Sequence, residues 1–398
     1  MFEGKNVVLG VTGSIAAYKA VDIASKLTQK GLAVDVVMTK AALEFVTALS
    51  FRSVTHRAVV TDMWELSSEV SIEHIALAER ADVVVIAPAT ANTIARLAAG
   101  IADEMLSCTV LATRVPVILA PAMDAGMYNN AITQENLAKL RSRGFTIVGP
   151  DYGPLASGLV GLGRLAETDE ILATVFQVLG RKGDLADRQV VVSAGGTREP
   201  IDPVRYLGNR SSGKMGYAVA EAARDRGAVV TLVSSVTELP PPAGVEMMQV
   251  ETAHEMRDAV LKASAAADVL IMAAAVADYH SVQVAEGKIR RESETLTLEL
   301  VKTADILGDV TGDIIKVGFA AENGDLIDRA TEKLTRKQLD LIVANDITAE
   351  DSGFGTDTNQ VTLIDRQGKV EELPLMHKYE VAHHILDRVV ALLSSSED

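Results

Sequence analysis

Residues 193–216 read SAGGTREPIDPVRYLGNRSSGKMG, which brings Arg198, Arg205, Asn209, Arg210 and Lys214 into one stretch of 24 residues. Cations and an amide at this density suit an anionic ligand. Gly195-Gly196-Thr197 would let backbone N–H groups approach a phosphate closely, as turns after strands do. An apolar run (190–192) precedes the stretch and an amphipathic run (217–226) comes after it. A strand, a long polar loop and a helix are therefore expected. A loop this long without apolar periodicity points to function. Ser212-Gly213-Lys214-Met215 is not a P-loop, since it lacks the upstream glycine and a Ser or Thr after the lysine.

The first half holds a second set of polar residues, each just after an apolar run: Gly13 and Ser14, Thr39, then Pro88, Thr90 and Asn92, and finally Asp124. Hydroxyls beside helix starts can hold a phosphate, although Gly-Ser is also an ordinary helix-start pair. The segment GVTGS (10–14) lacks the G-x-G-x-x-G spacing. A mononucleotide such as FMN therefore fits better than NAD.

These residues need strands to carry them. Apolar runs at 6–11, 33–38, 82–87 and 115–120 alternate with helical spacing at 15–27 and up to Ala99. The second half repeats the alternation: strands at 229–233, 269–272 and 317–322, and a helix at 253–265. Residues 356–359 read as a turn, 360–364 and 370–373 as a hairpin, and 376–393 as a terminal helix with a disordered tail after it. The fold class expected is α/β with two Rossmann-like domains, each a parallel sheet covered on both faces. Ligands then belong at the carboxyl edge of the sheets. At 398 residues two domains are the prior. The polar segment 181–188 reads as a linker between domains 1–180 and 189–398.

A net charge of −16 excludes broad electrostatic binding to nucleic acid or to an anionic membrane. The single cysteine, Cys108, excludes an internal disulfide and is expected to be a buried structural thiol. No secretion signal or membrane-length apolar run is visible, so a cytoplasmic protein is expected.

GVTGSIAAYKA (10–20), EHIALAERADVVVIAPATANTIARLAAGIADEML (73–106), PAMDAGMY (121–128) and GLVGLGR (158–164) together resemble the FMN-dependent cysteine decarboxylases. Residues 193–216 and much of the chain beyond them resemble phosphopantothenate–cysteine ligase, and the order of the halves resembles the bacterial bifunctional enzymes of coenzyme A synthesis. The resemblance implies an N-terminal flavoprotein domain and a C-terminal ligase domain. The ligase would join 4′-phosphopantothenate to cysteine through an acyl-cytidylate made from CTP. The flavoprotein would then convert 4′-phosphopantothenoylcysteine to 4′-phosphopantetheine. In that family the flavin oxidises the thiol side chain to a thioaldehyde, CO2 leaves, and the resulting enethiol is reduced.

By the same resemblance His74 is the active-site histidine, and FMN sits on Gly13, Ser14, Thr39, Pro88, Thr90 and Asn92. Asn209 and Arg205 hold the acyl-cytidylate. Ala274, Asp278, Lys288, Phe319, Lys333 and Lys337 line the nucleotide site. Mg2+ is expected mainly on the CTP phosphates, with no protein ligands assigned. Two positions depart from the family pattern. Asp124 stands where an asparagine usually holds the substrate carboxylate, and its charge would repel that group unless protonated or paired. Ser157 stands where a flap cysteine usually donates a proton, and a hydroxyl is a far weaker acid. A third departure is Lys302-Thr-Ala-Asp305, where proline often precedes the aspartate. Relatives assemble as trimers of the flavoprotein domain, dimers of the ligase domain and a dodecamer, so a homo-oligomer is expected. The alternative is a ligase alone, with a flavin domain kept for assembly.

Overall fold

Residues 2–63, 73–236, 238–290, 295–322, 326–346 and 355–396 are described by the computed structural model of the chain. Two compact units form, Met1–Leu179 and Gly180–Asp398.

In the first unit β1 (Asn6–Val11), α1 (Ala17–Gln29), β2 (Ala33–Met38), α2 (Ala48–Thr55) and β3 (Val59–Val60) come first. Next are α3 (Glu73–Arg80), β4 (Val83–Ala89), α4 (Ala91–Ala99), α5 (Met105–Ala112) and β5 (Val117–Pro121). After them come α6 (Ala125–Tyr128), α7 (Ala131–Ser142), β6 (Thr146–Ile147), a hairpin of β7 (Asp151–Pro154) and β8 (Val160–Arg164), and α8 (Thr168–Gly180). The parallel sheet runs β3-β2-β1-β4-β5-β6. Its order reverses between β1 and β4, the switch point where such sheets open a crevice.

The strands read as unbroken apolar runs because both faces are buried. Val7, Leu9 and Val11 enter one core and Val8 the opposite one, as do Val83 and Val85 against Val84 and Ile86. Gly10 leaves room for this packing: a Cβ there would lie 2.5 Å from Leu106 Cδ1, so that side chain would have to turn aside.

The second unit begins with β9 (Gln189–Ala194), a hairpin of β10 (Arg198–Pro200) and β11 (Tyr206–Gly208), α9 (Lys214–Asp225), β12 (Val229–Ser234) and β13 (Glu246–Gln249). Then come α10 (Ala253–Ser264), β14 (Val269–Met272), β15 (Tyr279–Ser281), β16 (Leu300–Lys302), α11 (Ile306–Asp309) and β17 (Ile315–Glu322). The remainder is α12 (Leu326–Arg336), β18 (Leu341–Asp346), β19 (Thr358–Asn359), β20 (Val361–Asp365), β21 (Val370–Glu372), β22 (Met376–His377) and α13 (Lys378–Ser396). The sheet order is β13-β12-β9-β14-β17-β18-β20-β21, parallel up to β18 and antiparallel beyond it. Its switch point lies between β9 and β14.

Four expectations change. The polar stretch 193–216 contains the β10–β11 hairpin, because Arg198–Pro200 pairs with Tyr206–Gly208. Residues 358–359 form a short strand against Met376–His377, a distant pairing that local turn chemistry does not encode. The terminal helix continues to Ser396, so the tail expected to be disordered is helical up to there; residues 397 and 398 lie outside the described set. Cys108 is half-buried rather than buried, its thiol 3.4 Å from the Ala102 carbonyl.

The core of the second unit includes a buried polar group between α9 and α13. Arg226, 2% exposed, donates to Asp184, to Asp387 and to the His383 carbonyl. Tyr379 packs edge-on against the His383 ring, whose Nδ1 is buried without a partner among the described residues. Burial, and then the Arg226 charge, push the His383 imidazole down to about 4. In the unfolded chain it titrates near the ordinary value of about 6.5. The unfolded state therefore binds more protons as pH falls through that window, and native stability falls with it. Between pH 6.5 and 4 the second unit should lose roughly 2 kcal/mol through this residue. His383→Leu should remove that part of the pH dependence, which thermal unfolding of the two proteins across the window would measure.

Candidate functional site

In the first unit the carboxyl ends of β1, β2, β4 and β5 meet a cavity of about 1250 Å3. Of the residues expected from sequence, Gly13, Ser14, Thr39, Thr90, Asn92, Asp124 and Ser157 line it. Pro88 and His74 are not among its described lining residues; His74 is half-buried in the first turn of α3.

Local physics explains these positions. Thr90 caps α4 by accepting from the Thr93 N–H at 3.3 Å, and Thr39 likewise caps the 3₁₀ turn Lys40–Glu44 through Ala42 N–H. Two helical starts thus face the crevice at the switch point, where backbone N–H groups favour an anion. Gly13 is needed because a Cβ would lie 2.5 Å from that of Ala41. The contribution of Pro88 is indirect. Its carbonyl accepts from the Thr12 hydroxyl at 2.7 Å, and Thr12 Oγ1 in turn accepts from Thr90 N–H at 3.2 Å. Buried Thr12 therefore ties the end of β1 to the end of β4, a link that the sequence reading missed. Lys19, Lys40 and Arg96 also line the cavity, with Arg96 paired to Asp103. Arg96 could have been found, since it lies one helical turn beyond Asn92 on α4.

The two departures from the family pattern are partners. Ser157 Oγ donates to Asp124 Oδ2 at 2.6 Å, while Asp124 Oδ1 accepts from Gly126 N–H at 2.9 Å. The Ser157 hydrogen bond and then the Gly126 N–H hold the Asp124 carboxyl below the usual range. Of the two alternatives left by the sequence, protonated or paired, the structure selects paired and ionised. The Ser157 proton is directed at Asp124, not into open solvent. The hairpin carrying Ser157 is docked by Met123 N–H on the Gly163 carbonyl at 2.9 Å.

In the second unit the residues just beyond β9 and β14 are stitched together. Ala275 N–H donates to the Gly195 carbonyl at 2.7 Å and Thr197 N–H to the Ala275 carbonyl at 3.3 Å. The Thr197 hydroxyl accepts from Ala277 N–H at 2.9 Å. These bonds tie the Gly195-Gly196-Thr197 turn to the segment after β14. A Cβ on Gly196 would lie 2.6 Å from the Asn209 carbonyl, and Gly195 has φ +89° with Val236 crowding it. Both glycines serve close packing. Asn209 Nδ2 lies 3.2 Å from the carbonyls of Ala275 and Val276, and Ala274 N–H donates to Ser193 Oγ at 3.1 Å.

Other cations have internal partners. Arg205 binds Asp202, whose carboxylate is fully buried and held far below its ordinary range by that arginine, and it also donates to the Ile289 carbonyl. Asp202, which the sequence reading overlooked, thereby fastens the loop of exposed Lys288 to the β10–β11 hairpin; Ile289 N–H donates to it as well. Lys214 binds Asp357 and the Gly355 carbonyl. Lys333 donates to the Phe319 carbonyl at 2.8 Å. Lys337 pairs with Asp305. It lies one residue past α12, yet its N–H still bonds the Lys333 carbonyl, so the four-residue spacing holds. Asp278 is exposed.

The Flavoprotein family model matches residues 1–180, and the model of the DNA/pantothenate metabolism flavoprotein C-terminal domain matches residues 185–393. The chain is 44% identical over 396 residues to the Coenzyme A biosynthesis bifunctional protein CoaBC of Vibrio vulnificus strain YJ016, covering 98% of each chain. It is 44% identical over 398 residues, again 98% of each, to the protein of the same name from Bacillus subtilis strain 168. A crystal structure of the C-terminal domain of a CoaBC protein is 41% identical, with a TM-score of 0.47, covering 54% of this chain and 99% of that one.

Proposed function

Because the chain belongs to the family of bifunctional coenzyme A biosynthesis proteins, with a flavoprotein half and a pantothenate-metabolism half, we propose that it makes 4′-phosphopantetheine in two steps. The second unit ligates 4′-phosphopantothenate to cysteine with CTP. The first unit, residues 1–180, decarboxylates the product with FMN. The observation that carries this reading is the presence, in one chain, of a crevice of flavin size at one switch point and a laced polar edge at the other.

In the second unit the phosphopantothenate carboxylate attacks the nucleotide α-phosphate and pyrophosphate leaves. Positioning and charge neutralisation dominate such transfers. Lys333 and Lys337 face the phosphates, with Asp278, Lys288, Phe319 and Ala274 around the nucleotide. The Asn209 amide and Arg205 hold the acyl-cytidylate, and Mg2+ rides on the triphosphate. Among the described residues no cluster of three or more His, Cys, Asp or Glu is built to hold a metal.

The residues of the first cavity fit a flavin mononucleotide: helix starts and hydroxyls at Ser14, Thr39, Thr90 and Asn92 for the phosphate, and about 1250 Å3 of space for the ring and a substrate. When bound, the flavin supplies reversible two-electron oxidation of the substrate thiol. The protein orients the cysteinyl end and excludes water, and His74 manages protons. The ionised Asp124 sets the carboxylate environment through its bond to Ser157. Removing its charge should relieve repulsion of the substrate carboxylate. Asp124→Asn is thus expected to lower KM for phosphopantothenoylcysteine severalfold, as steady-state kinetics would report.

No helix among the described residues is long and apolar enough to cross a membrane, and we place the protein in the cytoplasm. Exposed Leu49, Leu111 and Ile132, each at least 64% accessible, suit assembly into homo-oligomers. The flavin-loaded protein, given phosphopantothenate, cysteine, CTP and Mg2+, should yield phosphopantetheine and CO2 by mass spectrometry. Accumulated phosphopantothenoylcysteine would instead favour the second reading, a ligase alone, to which the Asp124–Ser157 pairing lends weight.

A further inference from the structure

The second unit holds a separate cavity of about 390 Å3 that the two-step scheme leaves unused. Glu199, Thr252, His254, His280, Ser281 and Thr303 line it. It shares a wall with the laced edge. Thr303 donates through Oγ to the Ala277 carbonyl at 2.6 Å and through N–H to the Asp278 carbonyl at 3.0 Å. Ala304, also in the lining, precedes Asp305, the partner of Lys337. The cavity therefore borders the segment on which Asn209 rests.

Its chemistry is that of an ammonium site with a base. Glu199 is 4% exposed, and one carboxylate oxygen accepts from Ala253 N–H at 2.8 Å. Its other oxygen is not among the buried atoms left without a partner, so it is open to a cationic group entering from the cavity. His280 Nδ1 lies 3.1 Å from the Ser281 carbonyl. A carbonyl only accepts, so this contact places the proton on Nδ1 and leaves Nε2 with the lone pair. The head of α10 does not compete for an anion there: Glu199 takes the Ala253 N–H and Thr252 Oγ1 takes that of Glu255.

We propose that this cavity seats the amino-acid nucleophile of the ligation, a cysteine-class substrate, with its ammonium on Glu199 and His280 Nε2 as general base. The inference rests on the ligase reading above. Nε2 removes one proton from the ammonium, and the amine lone pair attacks the acyl carbon of the acyl-cytidylate. The C–N bond forms, the C–O bond to phosphate breaks, and CMP leaves with that electron pair. The second amine proton passes to solvent as the amide forms, and His280 returns its proton to water.

The test uses the full chain with flavin, as wild type, His280→Gln and Glu199→Gln. Pyrophosphate release from CTP, Mg2+ and phosphopantothenate without cysteine reads activation alone, and should be the same in all three. With cysteine, His280→Gln should lower kcat about a hundredfold at pH 7, with the loss shrinking towards pH 9 as the amine deprotonates unaided. Hydroxylamine, already neutral at pH 7, should intercept the acyl-cytidylate equally well in both proteins. Glu199→Gln should raise the cysteine KM at least tenfold. His280 is half-buried, so its variant decides the matter even if Glu199→Gln misfolds. Intact pyrophosphate release with cysteine kcat and KM within twofold of wild type in His280→Gln would overturn the inference. Absence of pyrophosphate release from the wild type would overturn the ligase reading itself.

Discussion

Gly163→Ala is expected to abolish decarboxylation while ligation proceeds at its wild-type rate. A Cβ at Gly163 would lie 2.1 Å from the Met123 carbonyl oxygen and 3.4 Å from Ala125 N, and the residue has φ +149°. Both obstacles are backbone, so neither can swing away as a side-chain tip could. Relief requires β8 to lift from residues 123–125, which breaks the Met123–Gly163 hydrogen bond and draws Ser157 from Asp124. Overpacking together with backbone strain amounts to about 3 kcal/mol, concentrated at the mouth of the first unit's cavity. Neighbouring Gly161 faces a softer obstacle, the Ala125 methyl at 2.8 Å. Gly161→Ala should therefore keep part of the activity. Product analysis of both variants with phosphopantothenoylcysteine, beside a ligation assay, checks the prediction; equal loss of both activities in Gly163→Ala would contradict it.

Lys333→Ala should lower kcat/KM for the nucleotide about a hundredfold, the usual loss when one preorganised charge donor is taken from a developing anion. The Lys333 ammonium is fixed by the carbonyl of Phe319 within β17, so it is oriented before substrate arrives. Lys333→Arg keeps the charge but not its compact geometry, and should recover only part of the rate. Decarboxylation of supplied phosphopantothenoylcysteine should be unaffected in both variants. Initial rates over a CTP series separate these outcomes, and an unchanged kcat/KM would remove Lys333 from the phosphate site.

How far the sequence could be read depended on the range of the interactions involved. The strands at 6–11, 33–38 and 269–272 were legible to the residue, because a strand buried on both faces leaves an unbroken apolar run. Thr39 and Thr90 were read as hydroxyls beside helix starts, while the capping bond each accepts came only with the structure. The β19–β22 pair was not, because its two strands lie about 18 residues apart and each is only two residues long.

The sequence by itself determined two α/β units with parallel sheets and the edge of each sheet at which polar residues collect. Local periodicity and the rules of parallel sheets suffice for that. Only the tertiary structure decided what those polar residues do there. It made partners of Asp124 and Ser157, 33 positions apart. It committed Arg205 to Asp202, packed Gly196 against the Asn209 carbonyl, and put Glu199 and His280 in the lining of one cavity. A charge or a hydroxyl in a sequence shows only what it can donate or accept. Which partner it takes depends on loops that meet where strands distant in the chain lie side by side.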